Sequence, residues 1–142
     1  MRLPVLHGNI RQIHVKNCET FYVPFDSLRD LPQINGIIFE NIAELDLREY
    51  SLNSTRVRPS IRLQILNSTV PHIPSHLIKG HLEELIIKDS NITKIHVFAF
   101  TGFFSEISAI KITNSEIGEI ESQAFKKLTI RNLEIVDTKF LM

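Results

Sequence analysis

Five stretches of this chain superimpose on one another, and a sixth begins before the last residue. Leu82, Leu85, Ile87, Ser90, Ile92, Ile95, Ala99, Phe100 and Phe103 recur as Ile107, Ile110, Ile112, Ser115, Ile117, Ile120, Ala124, Phe125 and Leu128. A unit this short cannot bury its apolar face alone, so it must stack on its neighbours. The repeat therefore dictates a one-dimensional stack, whose long continuous surface points toward binding rather than catalysis.

With the first residue of each unit at offset zero, units begin at Ile10, Ile34, Ser60, Leu82, Ile107 and Ile130, 22 to 26 residues apart. Offset three holds Ile13, Ile37, Leu63, Leu85, Ile110 and Leu133, and offset five holds Val15, Phe39, Ile65, Ile87, Ile112 and Ile135. Apolar residues two apart are the alternation of a short strand with one buried face. Offset thirteen holds Val23, Leu47, Ile73, Ile95 and Ile120, and offset eighteen holds Leu28, Leu52, Ile78, Phe100 and Phe125. The physical reading is a coil. Each unit lays down one strand, returns through a less regular segment, and starts the next strand about 4.8 Å higher, parallel to the last.

A chain of 142 residues fits one domain. Residues 1–9 read as a lead-in and 10–142 as a solenoid of five repeats plus a truncated sixth. Sixteen basic residues balance sixteen acidic ones, and no run of like charge appears. That removes the electrostatic footprint of a nucleic-acid or anionic-membrane partner. No apolar stretch approaches the roughly 20 residues needed to cross a bilayer, and Met1 to Gly8 is too short and interrupted for a secretory signal. The single cysteine, Cys18, rules out an internal disulfide. Against a cytosolic location stand three glycosylation acceptor triplets, at Asn53, Asn67 and Asn91.

The pattern Leu-x-x-Leu-x-Ile-x-x-Ser-x-Ile-x-x-Ile, closed by Ala-Phe-x-x-Leu, resembles the leucine-rich repeat superfamily, in particular its extracellular kind. The resemblance runs over roughly residues 10 to 140 and is clearest in units four and five. It is poorest in unit two, where Ile42 and Glu44 break the pattern and Leu45 lies one place late. It implies an α/β repeat solenoid with a parallel β-sheet on the concave face and irregular or short helical segments on the convex side. Such repeats are specific for a fold and unspecific for a function. The family usually places an inward Asn at offset eight. Here that column reads Cys18, Ile42, Ser68, Ser90, Ser115 and Thr138, preceded by Asn17, Asn41, Asn67, Asp89, Asn114 and Asp137. Asn and Asp stabilise bends by bonding nearby backbone, so each strand is expected to end in an Asx turn with the small residue packed inward.

Enzymatic chemistry finds little footing. The nearest histidine cluster is His72, His76 and His81, without the glutamate of a zinc-protease helix and with Pro71 and Pro74 set against a helix. Asp89 and Asp137 share a column but lie two strand spacings, roughly 10 Å, apart. There is no phosphate-binding glycine loop and no nucleophile elbow. Cys18 has an inward offset, where an inert thiol is the default. No catalytic residue, metal site or cofactor is assigned.

The binding reading has more content. Outward strand positions, at offsets two, four and six, are mostly polar. Ile38, Leu66 and Ile86 depart from this on three consecutive strands, and apolar groups ringed by charge are what a protein-binding hot spot looks like. The candidate partner-binding residues are Ile38, Glu40, Arg62, Gln64, Leu66, Glu84, Ile86, Lys88 and Lys111. For glycosylation, Asn53 in the longest loop and Asn91 just past a bend are favoured. A glycan on Asn67 would compete with its turn and shade Leu66.

Three functions are weighed. The first is a recognition module of a secreted or cell-surface protein, binding a protein ligand or receptor through the concave sheet. It lacks a signal sequence and Cys-rich caps, and residues 130–136 form a last strand without cover, so the chain is expected to be part of something longer. The second is an intracellular adaptor of the same fold, which one reduced cysteine suits. The third is a parallel β-helix enzyme acting on acidic polysaccharides. It wants acidic or basic groups gathered on one external sheet and an all-strand back, and the outward columns show no convergent carboxylates.

Overall fold

The computed structural model describes residues 1–53, 61–78, 82–100, 106–125 and 128–141. Ser60, His81, Phe103 and the Ser54 and Thr55 of the first acceptor triplet lie outside them. The strands are β1 (Gln12–Val23), β2 (Gly36–Leu47), β3 (Ile61–Leu66), β4 (Thr69–Ile73), β5 (Leu82–Lys88), β6 (Asn91–Ile95), β7 (Glu106–Thr113), β8 (Glu116–Ile120), β9 (Thr129–Val136) and β10 (Lys139–Phe140). They form a parallel β-solenoid of about five turns. A six-stranded sheet has the order β1-β2-β3-β5-β7-β9, and a four-stranded sheet has the order β10-β8-β6-β4.

The strand alternation sets the register. Ile13, Ile37, Leu63, Leu85, Ile110 and Leu133 are successive partners, as are Val15, Phe39, Ile65, Ile87, Ile112 and Ile135. These files are the floor of one continuous core. Each fully buried Ile or Leu in them stabilises the stack by about 1.5–3 kcal/mol relative to an exposed one. Ile65 and Ile87 are buried, whereas Leu133 is 60% and Ile135 44% exposed on the last strand of the sheet. At the other end Met1 to Leu3 run beside β1. Tyr22 N–H donates to the Met1 carbonyl at 2.8 Å, Leu3 N–H donates to the Tyr22 carbonyl at 2.9 Å, and Leu3 is buried.

The convex side corrects the expectation of short helices. No helix occurs among the described residues; β1 and β2 run unbroken through their corners, and from the third corner on a second parallel sheet of β4, β6, β8 and β10 follows. Its inward residues are Val70 and Ile73, Ile92 and Ile95, Ile117 and Ile120, three positions apart in each turn. That spacing mimics one helical turn, but two outward residues lie between each pair on an irregular strand. Beyond this sheet the Ala99-Phe100 and Ala124-Phe125 segments form turns, with Ala99, Phe100 and Ala124 buried and the Phe100 and Phe125 rings stacked at 5.5 Å.

The turns form a third side. Asp26, Tyr50 and His76 donate their N–H groups to the carbonyls of Tyr50, His76 and Phe98 at 3.0, 2.7 and 3.1 Å. Asp26, Tyr50, His76 and Phe98 all take left-handed backbone, φ 53 to 58°. That conformation is unfavourable for bulky side chains and is held by the surrounding bonds. Stacked rings accompany it: Tyr50 on His76 at 5.3 Å and His76 on Phe98 at 6.1 Å.

Every corner shares one backbone conformation. Asn17, Asn41, Asn67, Asp89, Asn114 and Asp137 all have φ between 46 and 60°. Asn and Asp enter this left-handed region more readily than other non-glycine residues, which is why the column is restricted to them. Behind them Ser68, Ser90 and Ser115 are buried. Each hydroxyl donates to the carbonyl two residues back, Leu66, Lys88 and Thr113, at 2.8 Å. Each also accepts the N–H of the turn before, from Ile42, Ser68 and Ser90, at 3.1, 3.2 and 3.1 Å.

Candidate functional site

The outer face of the six-stranded sheet carries all nine candidate residues on four consecutive strands. Strand pairing sets Gly36, Arg62, Glu84 and Ala109 in one column, Ile38, Gln64, Ile86 and Lys111 in the next, and Glu40, Leu66, Lys88 and Thr113 in the third. Neighbours in a column are about 4.8 Å apart, and columns about 6.7 Å. Ile38, Leu66 and Ile86 thus surround Gln64. All three are half-buried within the chain, and their remaining surface forms a shallow apolar patch. Glu40, Gln64 and Glu84 are also half-buried, while Arg62, Lys88 and Lys111 are exposed.

Charge closes the patch along the coil and leaves it open across. His14 Nε2 lies 2.8 Å from Glu40 Oε1 on one side, and Lys111 Nζ 3.8 Å from Glu84 Oε2 on the other. These are exposed or half-exposed pairs, each worth at most about 1 kcal/mol. Arg62 and Lys88, on opposite margins of the central strands, make no ion pair among the described residues. Both margins therefore present an uncompensated positive charge next to apolar surface.

The corner column lines a long groove of about 650 Å³. Its amides bond to one another: Asn41 Nδ2 donates to Asn17 Oδ1 at 2.8 Å, Asn67 Nδ2 to Asn41 Oδ1 at 3.3 Å, and Asn114 Nδ2 to Asp89 Oδ1 at 2.8 Å. Each bonded amide spends one of its N–H donors within the ladder, which ties successive corners together.

Of the histidine cluster, His72 and His76 take different partners, and His81 lies outside the described residues. His72 Nδ1 sits 3.0 Å from His96 Nε2, and His96 Nδ1 3.2 Å from Glu121 Oε1. His76 is withdrawn into the ring stack with Tyr50 and Phe98. Lys94 Nζ bridges Glu119 and Glu121 at 3.8 and 3.6 Å, so this network ties turns three, four and five together on the second sheet. Among the described residues no group of three His, Cys, Asp or Glu side chains is placed to hold a metal ion. Cys18 is half-buried, its Sγ 3.6 Å from the Lys16 carbonyl.

Of the favoured acceptor sites, Asn91 opens β6 with its side chain exposed, and Thr93 of its triplet is exposed too. Asn53, expected in an open loop, is half-buried, with Oδ1 enclosed and unbonded among the described residues. The chain turns back there, Asn53 N–H donating to the Tyr50 carbonyl at 3.3 Å, and tucks the side chain against the coil. Asn67 has its amide nitrogen engaged in the ladder and Ser68 buried behind it.

Sequence reasoning missed Phe25, which is 65% exposed on a ridge between a groove of about 610 Å³ and one of about 290 Å³. The Tyr22 ring nearby has the Arg2 and Arg48 guanidiniums 5.5 and 5.2 Å from its centre. A signal was available: the equivalent position in the other units holds Glu49, Ser75, Val97 and Ser122, none aromatic. Set against known proteins, the chain matches no family model, no curated protein and no solved structure.

Proposed function

We propose that this chain is a non-enzymatic protein-recognition module of leucine-rich-repeat type, acting at the cell surface or in secreted form. It binds a protein ligand or receptor through the outer face of the six-stranded sheet. The observation that carries the reading is the half-buried trio Ile38, Leu66 and Ile86, brought together on a mostly polar face. Apolar anchors inside a polar rim are the usual composition of a protein-binding centre. The accessible triplet at Asn91 supports exposure to the secretory pathway.

The test is proximity labelling from the chain fused to a labelling enzyme and displayed on a secreting cell. Proteins labelled with the unaltered chain are expected to be lost with Ile86→Glu and kept with Lys139→Glu, exposed on the other sheet. Equal labelling by all three removes the sheet from the account. Treatment with a glycosidase is expected to shift the mobility of the secreted chain, and Asn91→Gln to abolish most of the shift. An unshifted chain favours the intracellular adaptor.

A second reading has one observation in its favour. The back of the coil is a sheet, and it gathers His72, His96, Glu119 and Glu121 as a parallel β-helix enzyme would. Both glutamates are bridged by Lys94, however, and the groove beside them is lined by His72 and His96 but by neither carboxylate. Release of reducing ends from an acidic polysaccharide, lost in Glu121→Gln, would turn the assignment to this reading.

A further inference from the structure

Resting on that reading, the arrangement of charge on the sheet also specifies what it takes. The apolar trio is bounded along the coil by two satisfied pairs, His14 with Glu40 and Lys111 with Glu84. Across the coil it is bounded by Arg62 and Lys88, which make no ion pair among the described residues. Arg62 pairs in register with Glu84, and Lys88 lies four residues further along the same strand, β5. Strand geometry then puts their Cα atoms about 14 Å apart, on either side of Gln64 and Ile86, with Leu66 beside Lys88.

An extended chain spans nearly the same distance in four residues, about 13 Å, and presents every second side chain to one face. We infer that the partner contributes an extended acidic segment of the pattern acidic-x-apolar-x-acidic. It lies along β3 and β5 with its apolar residue over Ile86 and its two carboxylates at Arg62 and, beside Leu66, at Lys88. The intervening residues face away from the sheet and carry no constraint. A carboxylate on each margin neutralises the two cations that have no ion pair among the described residues, while an apolar side chain covers the patch. A basic segment would meet two like charges, which costs affinity and suppresses that class of partner. A nucleic-acid strand would find two cations but would set its phosphates against Glu40 and Glu84 and leave the apolar trio uncovered.

The probe is a random dodecapeptide library panned on the full chain, with enriched sequences resynthesised and measured by fluorescence polarisation. Enriched peptides are expected to carry two acidic residues four positions apart around an apolar one. Their affinity is expected to fall about tenfold in Arg62→Glu and in Lys88→Glu, and several-fold from low to high salt. Either variant serves alone if the other fails to match the parent by circular dichroism. Enriched peptides that are neutral or basic, or that bind both charge-reversal variants undiminished, overturn the acidic segment. The sheet itself stays in place if those peptides are still lost in Ile86→Glu. Binding unaffected by Ile86→Glu overturns segment and sheet together. No enrichment over an unrelated protein, or tighter binding of single-stranded DNA than of any selected peptide, also overturns the inference.

Discussion

The first two turns and the next three are made from units of similar length, 22 to 26 residues, but fold them in two ways. In turns one and two the strand runs unbroken for 12 residues, from Gln12 to Val23 and from Gly36 to Leu47. In turns three to five it breaks at the corner into two strands. The residue at the corner decides which. Cys18 and Ile42 carry no side-chain oxygen, so their backbones pair directly and the ladder continues. Ser68, Ser90 and Ser115 offer a hydroxyl that takes the N–H from the turn before, moving one rung from main chain to side chain and ending the strand. The next inward residue follows suit: Phe21 and Leu45 come three positions after the corner, Val70, Ile92 and Ile117 only two. The serine corners and the shifted phase thus occur together in turns three to five.

The largest expected effect sits where the shifted phase brings backbones together. A Cβ at Gly118 would lie 2.5 Å from the Thr93 carbonyl oxygen. Gly118→Val is expected to destabilise the chain by about 3 kcal/mol in urea unfolding. Thr20→Val, at an exposed position in turn one, is expected to change stability by less than about 0.5 kcal/mol. Equal losses at the two positions would erase the distinction between the two kinds of turn.

A smaller effect isolates the hydroxyl. Ser90→Ala leaves the Ser68 N–H without its acceptor at 3.2 Å and the Lys88 carbonyl without its donor at 2.8 Å. A loss of about 1–3 kcal/mol is expected. Hydrogen exchange at the Ser68 amide is expected to quicken about tenfold or more, with the Cys18 amide unchanged. If the Ser68 amide stays protected, the corner bond is not what breaks the strand. The smallest effect is Cys18→Ser. Turn one has no earlier strand of the sheet to donate an amide, so the new hydroxyl has nothing to receive, and stability is expected to move by less than about 0.5 kcal/mol. A gain or loss well above that range would mean the hydroxyl acts on its own strand rather than on the stack.

Much of this fold is legible in the residues because burial writes a period of two into Ile13 and Val15, Ile37 and Phe39, and their successors. The left-handed corners are legible for a similar reason, since few side chains other than those of Asn and Asp enter that conformation readily. The second sheet is not, because Val70 and Ile73 or Ile92 and Ile95 stand at the spacing of a helical turn. Leu45 reads as a defect in unit two only when units four and five are the reference; Phe21 shares its place, and the two are partners across β1 and β2. On the candidate face, alternation alone picks out Ile38, Leu66 and Ile86. Which charges meet is not readable there, because the pairs run diagonally between columns, His14 to Glu40 and Glu84 to Lys111, and depend on side-chain reach. The burial of Asn53 depends likewise on a local turn that no column marks.

The three sides of the coil are held by bonds that run along its axis, from each turn to the next. Tension applied between the two ends therefore loads these bonds in line and opens them rung by rung, as a zip opens, rather than shearing whole strands at once. Each rung that gives way releases one unit of 22 to 26 residues, about 80 to 90 Å of slack at about 3.5 Å per residue. A force trace would show a row of low, evenly spaced teeth, with the serine corners setting their height.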